Sequence, residues 1–167
     1  MPLTIYEIAF ESPEYAACCR LRDEVLRRPL GVSLSVADRR GEDRQIHLAA
    51  FNGQSNGDVD ASEAVPSPHP DGCVVGCVLL KPLDATSVKL RQMAVAPSHQ
   101  RQGVGTQLVR AAIDWARAAG FATIELHARE TALDFYIRLG FAIDGDPFEE
   151  VGLPHRAMTQ SLAIDEG

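Results

Sequence analysis

Gln100-Arg101-Gln102-Gly103-Val104-Gly105 runs from the apolar stretch Met93-Ala94-Val95-Ala96-Pro97 into a strongly helical pattern. Two glycines one residue apart at the start of a helix leave a row of backbone N–H groups without partners in the chain. Such groups carry the positive end of the helix dipole and attract phosphate oxygens. Glycine lets the backbone approach an anion with no Cβ in the way. Arg101 adds a side-chain charge beside it. The segment predicts a seat for a pyrophosphate-bearing cofactor.

The helix that follows is expected from Gly103 to Ala119, with Val104, Leu108, Ala111, Ala112, Trp115 and Ala119 in one apolar stripe and Gly120 as its stop. Before it, Ser87–Ala96 reads as a strand with Val88, Leu90 and Ala94 on one side and Lys89, Arg91, Met93 and Val95 on the other. Cys73–Lys81 is nearly all apolar, as in a strand covered on both faces. Further upstream, a strand at Leu3–Phe10 leads into a helix capped by Ser12-Pro13 and ended by Pro29–Gly31. A short polar turn at Val36–Glu42 and a strand at Gln45–Asn52 follow. Residues 53–72, rich in Pro and Gly, read as a mobile loop insertion within one domain spanning 1–167. Downstream, Phe121–Ala128 is a strand, Thr131–Leu139 a short helix with Thr131 as N-cap, and Phe141–Val151 and His155–Leu162 the last two strands. The order predicts an α/β (α+β) fold, helices covering both faces of a mostly antiparallel mixed sheet of six to seven strands.

Bulk composition narrows the function. A formal charge of −7 argues against a nucleic-acid partner. The amino terminus lacks a basic region followed by an apolar core, and no apolar run approaches a membrane span, so a cytoplasmic protein with no membrane partner is expected. The four cysteines, Cys18-Cys19 and Cys73…Cys77, lack the spacing of a zinc or redox site. Cys73 and Cys77 are expected on one face of their strand, all four being free thiols. No His/Asp/Glu spacing suggests a metal.

A dinucleotide-binding turn is the first alternative for the glycine pair, with Glu125 about twenty residues on as the ribose-binding acid. Leu108 occupies the third glycine position, and several residues including Pro97 separate strand from Gly103, where that turn is tight. A different pattern fits better. The strand Leu90–Val95 leads into Gln100-x-x-Gly103-x-Gly105, and Phe135-Tyr136-x-x-x-Gly140-Phe141 follows beyond the next strand. Together these resemble the GNAT N-acetyltransferase superfamily. The string Gly152-Leu153-Pro154-His155-x-x-Met158, with Leu21–Leu26 in the first helix, is similar to a bacterial subgroup of that family with a C-terminal Gly-Leu/Ile-Pro-His-x-x-Met signature.

The resemblance implies an acyl-CoA-dependent N-acyltransferase, with acetyl-CoA as co-substrate and a primary amine of a small molecule or peptide as acceptor. Coenzyme A would lie between strands Ser87–Ala96 and Phe121–Ala128, its pantetheine arm on backbone groups of Met93, Ala94 and Val95. Its pyrophosphate would sit on the N–H groups of Gln100, Arg101, Gln102, Gly103, Val104, Gly105 and Thr106. Tyr136 matches the family tyrosine that protonates the departing thiolate. The general base is open between Glu125 and His127, two residues apart on one strand face, and His155 is placed in the acceptor pocket. Acidic Asp38, Glu42, Glu149 and Glu150 near that pocket favour a cationic amine. A non-catalytic acyl-CoA-sensing module of the same fold is the rival reading. Terminal strands could pair two copies into a homodimer.

Overall fold

A computed structural model describes residues 3–52 and 73–162; the predicted loop insertion at 53–72 lies outside the described residues. The strands are β1 (Leu3–Ile8), β2 (Ile46–Asn52), β3 (Val74–Pro82), β4 (Ser87–Val95), β5 (Thr123–Arg129), β6 (Ala142–Ile143), β7 (Phe148–Glu150) and β8 (Leu153–Ser161). The helices are α1 (Pro13–Arg22), α2 (Val104–Ala118) and α3 (Leu133–Arg138). The eight strands form one sheet in the order β1-β2-β3-β4-β5-β8-β6, with β7 also on β8. Every pairing is antiparallel except β4–β5. Parallel neighbours require a long crossover, and α2 supplies it.

Phe141–Val151, expected as one strand, is two. Gly145 at φ +97° and Pro147, which has no N–H to give a ladder, break it. Both pieces still lie along β8, Ile143 opposite Met158 and Phe148 opposite His155. The eighth strand is this interruption.

The helices form where local chemistry asks for them. Ser12 accepts a hydrogen bond from the Tyr15 N–H at 3.1 Å, with Pro13 in the first turn. Past Arg22 the chain continues as a π-helical turn, Asp23–Arg27, then a 3-10 turn that Gly31 ends at φ +76°. At the other end of α2, Gly120 sits at φ +91° and the Phe121 N–H returns to the Ala116 carbonyl at 3.0 Å. Thr131 is not the cap of α3. It lies inside a 3-10 turn, Glu130–Ala132, and Ala132 begins the helix with no side-chain cap.

The two sheet faces carry separate cores. One, under α2, contains Leu48, Val78, Val88, Leu90, Leu108, Ala112, Ile124 and Met158. The other, under α1, contains Ala17, Cys18, Leu21, Phe51, Cys77, Ala94 and Ala96. Two bulges exchange side chains between them. On β3, Ala50 opposes Gly76 and Phe51 opposes Val74, so Val75 is extra. Cys77 therefore joins the α1 core while Cys73 packs toward α2, against the expectation of a shared face. On β4, Leu79 opposes Arg91 and Cys77 opposes Ala94, which leaves two residues against one, and Gln92 there adopts φ +56°. Val88 and Leu90 face α2 as expected. Beyond the bulge the parity reverses: Met93 and Val95 pack toward α2, and Ala94 faces α1.

Candidate active site

β4 and β5 are paired only at Ser87–Thr123, Val88–Ile124 and Lys89–Glu125. Past that rung they are no longer paired, and β4 there carries its bulge against β3. The opening leads to two cavities that share Met93.

The smaller cavity, about 430 Å³, is lined by Met93, Val95, Gln100, Arg101, Gly103, Gly105, Thr106 and Phe135. Its floor is the glycine turn. Arg101 and Gly103 both take left-handed backbone, φ +64° and +85°, a conformation that turns successive N–H groups into an anion-binding concavity. Gly103 begins α2 with no side-chain cap, and the first turn holds no acidic residue. The helix N–H groups are thus left to the cavity. Gln100 donates Nε2 to the Val95 carbonyl at 3.0 Å and Gln102 donates Nε2 to the Ser98 carbonyl at 2.9 Å, pinning the loop. Of the expected cofactor contacts, Ala94 and Val104 are buried and offer backbone only, and Gln102 and Tyr136 do not line this cavity. Phe135, quoted above only as part of the Phe135-Tyr136 string and not as a cofactor contact, does. A Cβ at Gly105 would stand 3.5 Å from both Phe135 Cζ and Met93 Cε, so a side chain there would narrow the groove.

The larger cavity, about 540 Å³, lies on the other side of Met93. Tyr136 borders it, with its ring edge-on to Phe135 and Phe141 at 4.9 and 5.8 Å. Burial pushes the Tyr136 phenol up to about 12. His127, His155 and Glu150 meet here: His127 Nδ1 lies 3.2 Å from Glu150 Oε1, and His155 Nε2 lies 3.7 Å from Glu150 Oε2. Phe148 packs edge-on to His127 and stacked on His155, fixing both rings. The β7–β8 pairing is what brings Glu150 to them. Glu125 is on the same strand as His127 but lines neither cavity; it is the rung partner of Lys89.

Basic side chains dominate the remaining wall. Among the described residues, Arg27, Lys89, Arg91 and Arg129 line the cavity, against Glu150 as the one lining carboxylate. Arg27 comes from the π-helical turn after α1, a local widening of the helix often found at functional sites. Burial pushes the Lys89 ammonium and the Arg91 guanidinium below their ordinary values. The acidic group expected to favour a cationic acceptor is mostly elsewhere. Glu42 is fully buried, accepting from Arg22 Nη1 and Nη2 at 2.8 and 2.6 Å and from the Tyr15 hydroxyl at 2.7 Å. Asp38 accepts from the Ser35 N–H, and Glu149 is exposed. Among the described residues no group of three His, Cys, Asp or Glu could hold a metal, and no helix is long and apolar enough to cross a membrane.

With this geometry in view, residues 60–141 match the acetyltransferase (GNAT) family. A Bacillus subtilis protein, YyaT, is 27% identical over 77 residues, covering 46% of this chain and 52% of that one. The chain thus matches about half the length of this curated relative. Among solved structures, an acyl-CoA N-acyltransferase from Pseudomonas aeruginosa superposes with TM-score 0.71 at 21% identity, covering 95% of this chain and 98% of that one. A GNAT family acetyltransferase from Elizabethkingia anophelis with acetyl-CoA bound gives 0.66 at 19%, covering 95% and 97%. The architecture is the GNAT acyl-CoA N-acyltransferase fold.

Proposed function

We propose that the protein is an acyl-CoA-dependent N-acyltransferase that moves an acetyl or other short acyl group onto a primary amine of a small molecule or peptide by direct attack. The observation that supports this best is the meeting, at Met93, of an anion-accepting groove and a cavity lined by ionisable side chains. The backbone nest at Gln100–Thr106 fits a pyrophosphate in shape and in dipole sign. When bound, coenzyme A supplies a thioester whose acyl carbon the amine attacks. The edge of β4 past Lys89, left without β5 as partner, offers main-chain groups to an extended arm, as in strand addition.

Within the larger cavity, the amine must lose a proton before or during attack. His127, coupled to Glu150 at 3.2 Å, is the base this reading favours, since both line the cavity and Glu125 does not. Tyr136 keeps its proton at neutral pH and can hand it to a departing thiolate, whose conjugate thiol has an ordinary pKa of about 8.5. His155, its Nδ1–H given to the Leu153 carbonyl at 2.8 Å, borders the acceptor side of the cavity beside Glu150. The Gly152–Met158 string supports placement in the bacterial subgroup named above, and a cytoplasmic homodimer is compatible with the same reading.

Acetyl-CoA titration tests the donor half. Ligand at about a hundred times its Kd should stabilise the fold by about 2.7 kcal/mol, a rise of several degrees in Tm. Gly103→Glu, which puts bulk and negative charge into the nest, should abolish that rise. Gly103→Asn, tolerant of left-handed backbone, should keep most of it. If Gly103→Glu still bound coenzyme A, the assignment of the groove would fail.

A further inference from the structure

We propose that the acceptor is an amine that also carries an anionic group, a carboxylate or a phosphate, seated against Arg91 and Lys89 in the larger cavity. This rests on the acyltransferase reading above and names the substrate class for the same site.

The cavity wall is charged asymmetrically. Among the described residues, four cationic side chains, Arg27, Lys89, Arg91 and Arg129, face one carboxylate, Glu150. That carboxylate already lies 3.2 Å from His127 Nδ1, with His155 Nε2 3.7 Å away on its other oxygen. Arg91 donates Nη1 to the neutral Gln45 Oε1 at 3.1 Å, and among the described residues it makes no ion pair. Glu42, whose charge Arg91 feels, is committed to both Nη atoms of Arg22. Lys89 Nζ lies 3.3 Å from His127 Nδ1, and it too has no carboxylate in ion-pair reach among the described residues. Arg27 reaches Asp38 only at 3.8 Å.

Half-buried cations with no carboxylate in contact are expensive to keep. Glu150 and Glu125 act on Lys89, and Glu42 and Glu150 on Arg91, only from beyond ion-pair distance, and burial outweighs them. Lys89 and Arg91 stand two residues apart on one face of β4, about 7 Å from each other along the strand. An anionic group between them would supply the missing charge, and a guanidinium offers two parallel donors to it. Arg91 is the last residue before the β4 bulge, and the strand then turns through Gln92 to Met93, where the two cavities join. An anion held at Lys89–Arg91 therefore directs the rest of the acceptor toward the joint. Its amine would lie beside His127 and Glu150, the groups able to take its proton. A cationic polyamine would meet four like charges on the same wall.

The test is a panel of amines offered with acetyl-CoA: β-alanine, L-glutamate, O-phosphoethanolamine, neutral β-alaninamide and dicationic cadaverine. At least one anionic amine should exceed β-alaninamide in kcat/KM by about tenfold or more, the factor expected for a charge-assisted contact. The carboxylate and phosphate arms tell which anion the site takes. Arg91→Gln and Lys89→Gln should each collapse the anionic-to-neutral ratio toward unity, through KM more than kcat. Binding is read separately, as the Tm shift that each amine adds to the coenzyme A-saturated protein: anionic amines should raise it and β-alaninamide should not. Equal or better use of β-alaninamide or cadaverine overturns the proposal. So does a ratio that survives both variants, or a saturated protein that none of the three anionic amines stabilises. Anion-dependent stabilisation with no turnover of any amine would sink the transfer reading and leave the anion seat standing.

Discussion

Lys89 and Glu125 form the last rung between β4 and β5, and the site begins where that rung ends. Below it the two strands are a continuous parallel pair; above it each offers an unshared edge. The same two residues divide the labour. Glu125 stays at the closed end of the opening, and Lys89 reaches His127 in the larger cavity.

Tyr136→Phe should lower kcat by about a hundredfold or more while leaving the Kd for coenzyme A within a factor of about two, as expected for loss of a proton donor. The phenyl ring still fills the space between Phe135 and Phe141, so the fold should keep its Tm. Steady-state kinetics and calorimetric titration check the two halves. Unchanged kcat would remove Tyr136 from the chemistry.

Gly76 packs against the first turns of α2. A Cβ there would meet Leu108 Cδ1 at 2.9 Å, Val104 Cγ1 at 3.0 Å and the Ala94 carbonyl at 3.3 Å. Gly76→Ala should destabilise by about 1–3 kcal/mol through overpacking, measured by urea unfolding. Because Val104 opens the helix at the glycine turn, coenzyme A affinity should fall as well.

The β7–β8 turn stores strain at the cavity rim. Val151 and Gly152 both have positive φ, +47° and +76°, the pattern of a two-residue hairpin turn that favours Asn-Gly. A β-branched residue in that backbone is unfavourable. Val151→Asn should raise stability by about 1 kcal/mol, seen as an increase in Tm. A fall in Tm would mean that Val151, which lines the cavity, is held there by packing.

Periodicity carried the fold as far as periodicity can. The Gly120 stop and the Ser12 cap are local patterns, and the structure has them where the pattern put them. The stripe on α2 holds at Val104, Leu108 and Ala112, but Val109, Ile113 and Ala116 are buried with them, Ala111 and Trp115 are half-buried and Ala119 is exposed, because the helix packs on the sheet over a wider face than the expected stripe. The two bulges are not local. Whether Ala94 faces α1 or α2 depends on two residues of β4 opposing one of β3, and only the partner strand's register sets that. The charge of the larger cavity was hidden for a related reason. Lys89 and Arg91 were legible as one face of a strand, but Glu150 reaches His127 only after the hairpin folds back. Glu42 read as an acceptor acid because nothing in its neighbourhood announces Arg22, twenty residues earlier, as its partner.

That buried pair should be costly to break. Burial alone would raise the Glu42 carboxyl, but the hydrogen bonds and charge of Arg22 outweigh it and hold Glu42 below its ordinary value. Removing one partner strands the other's charge in the core, about 3–5 kcal/mol by precedent for buried pairs. Arg22→Met should show this loss in denaturant unfolding. Arg22→Met with Glu42→Leu should recover a large part of it. A double variant no better than the single would assign the loss to packing alone.

His47 gives the fold a pH dependence whose sign can be worked out. Its Nε2–H donates to the Glu42 carbonyl at 2.8 Å, and its ring sits edge-on to Tyr15 at 5.0 Å and tilted against Phe10 at 6.2 Å. Burial pushes the imidazole below its ordinary value of 6.5, and the nearby Arg22 charge acts the same way; the Glu42 carbonyl and the charges of Glu42 and Glu7 oppose without prevailing. A group whose pKa is lower folded than unfolded leaves the unfolded chain with more bound protons as the solution acidifies. The contribution of neutral His47 is therefore complete above about pH 6.5 and is lost as the pH falls through the lower folded value. Glu42, also depressed, adds its own loss only below its ordinary 4.5, so the two windows separate. Between about pH 7.5 and 5 the Tm of the protein should fall more steeply than that of His47→Gln, whose amide can keep the bond to the Glu42 carbonyl without titrating. Parallel Tm curves for the two proteins across that window would show that His47 is not the titrating group.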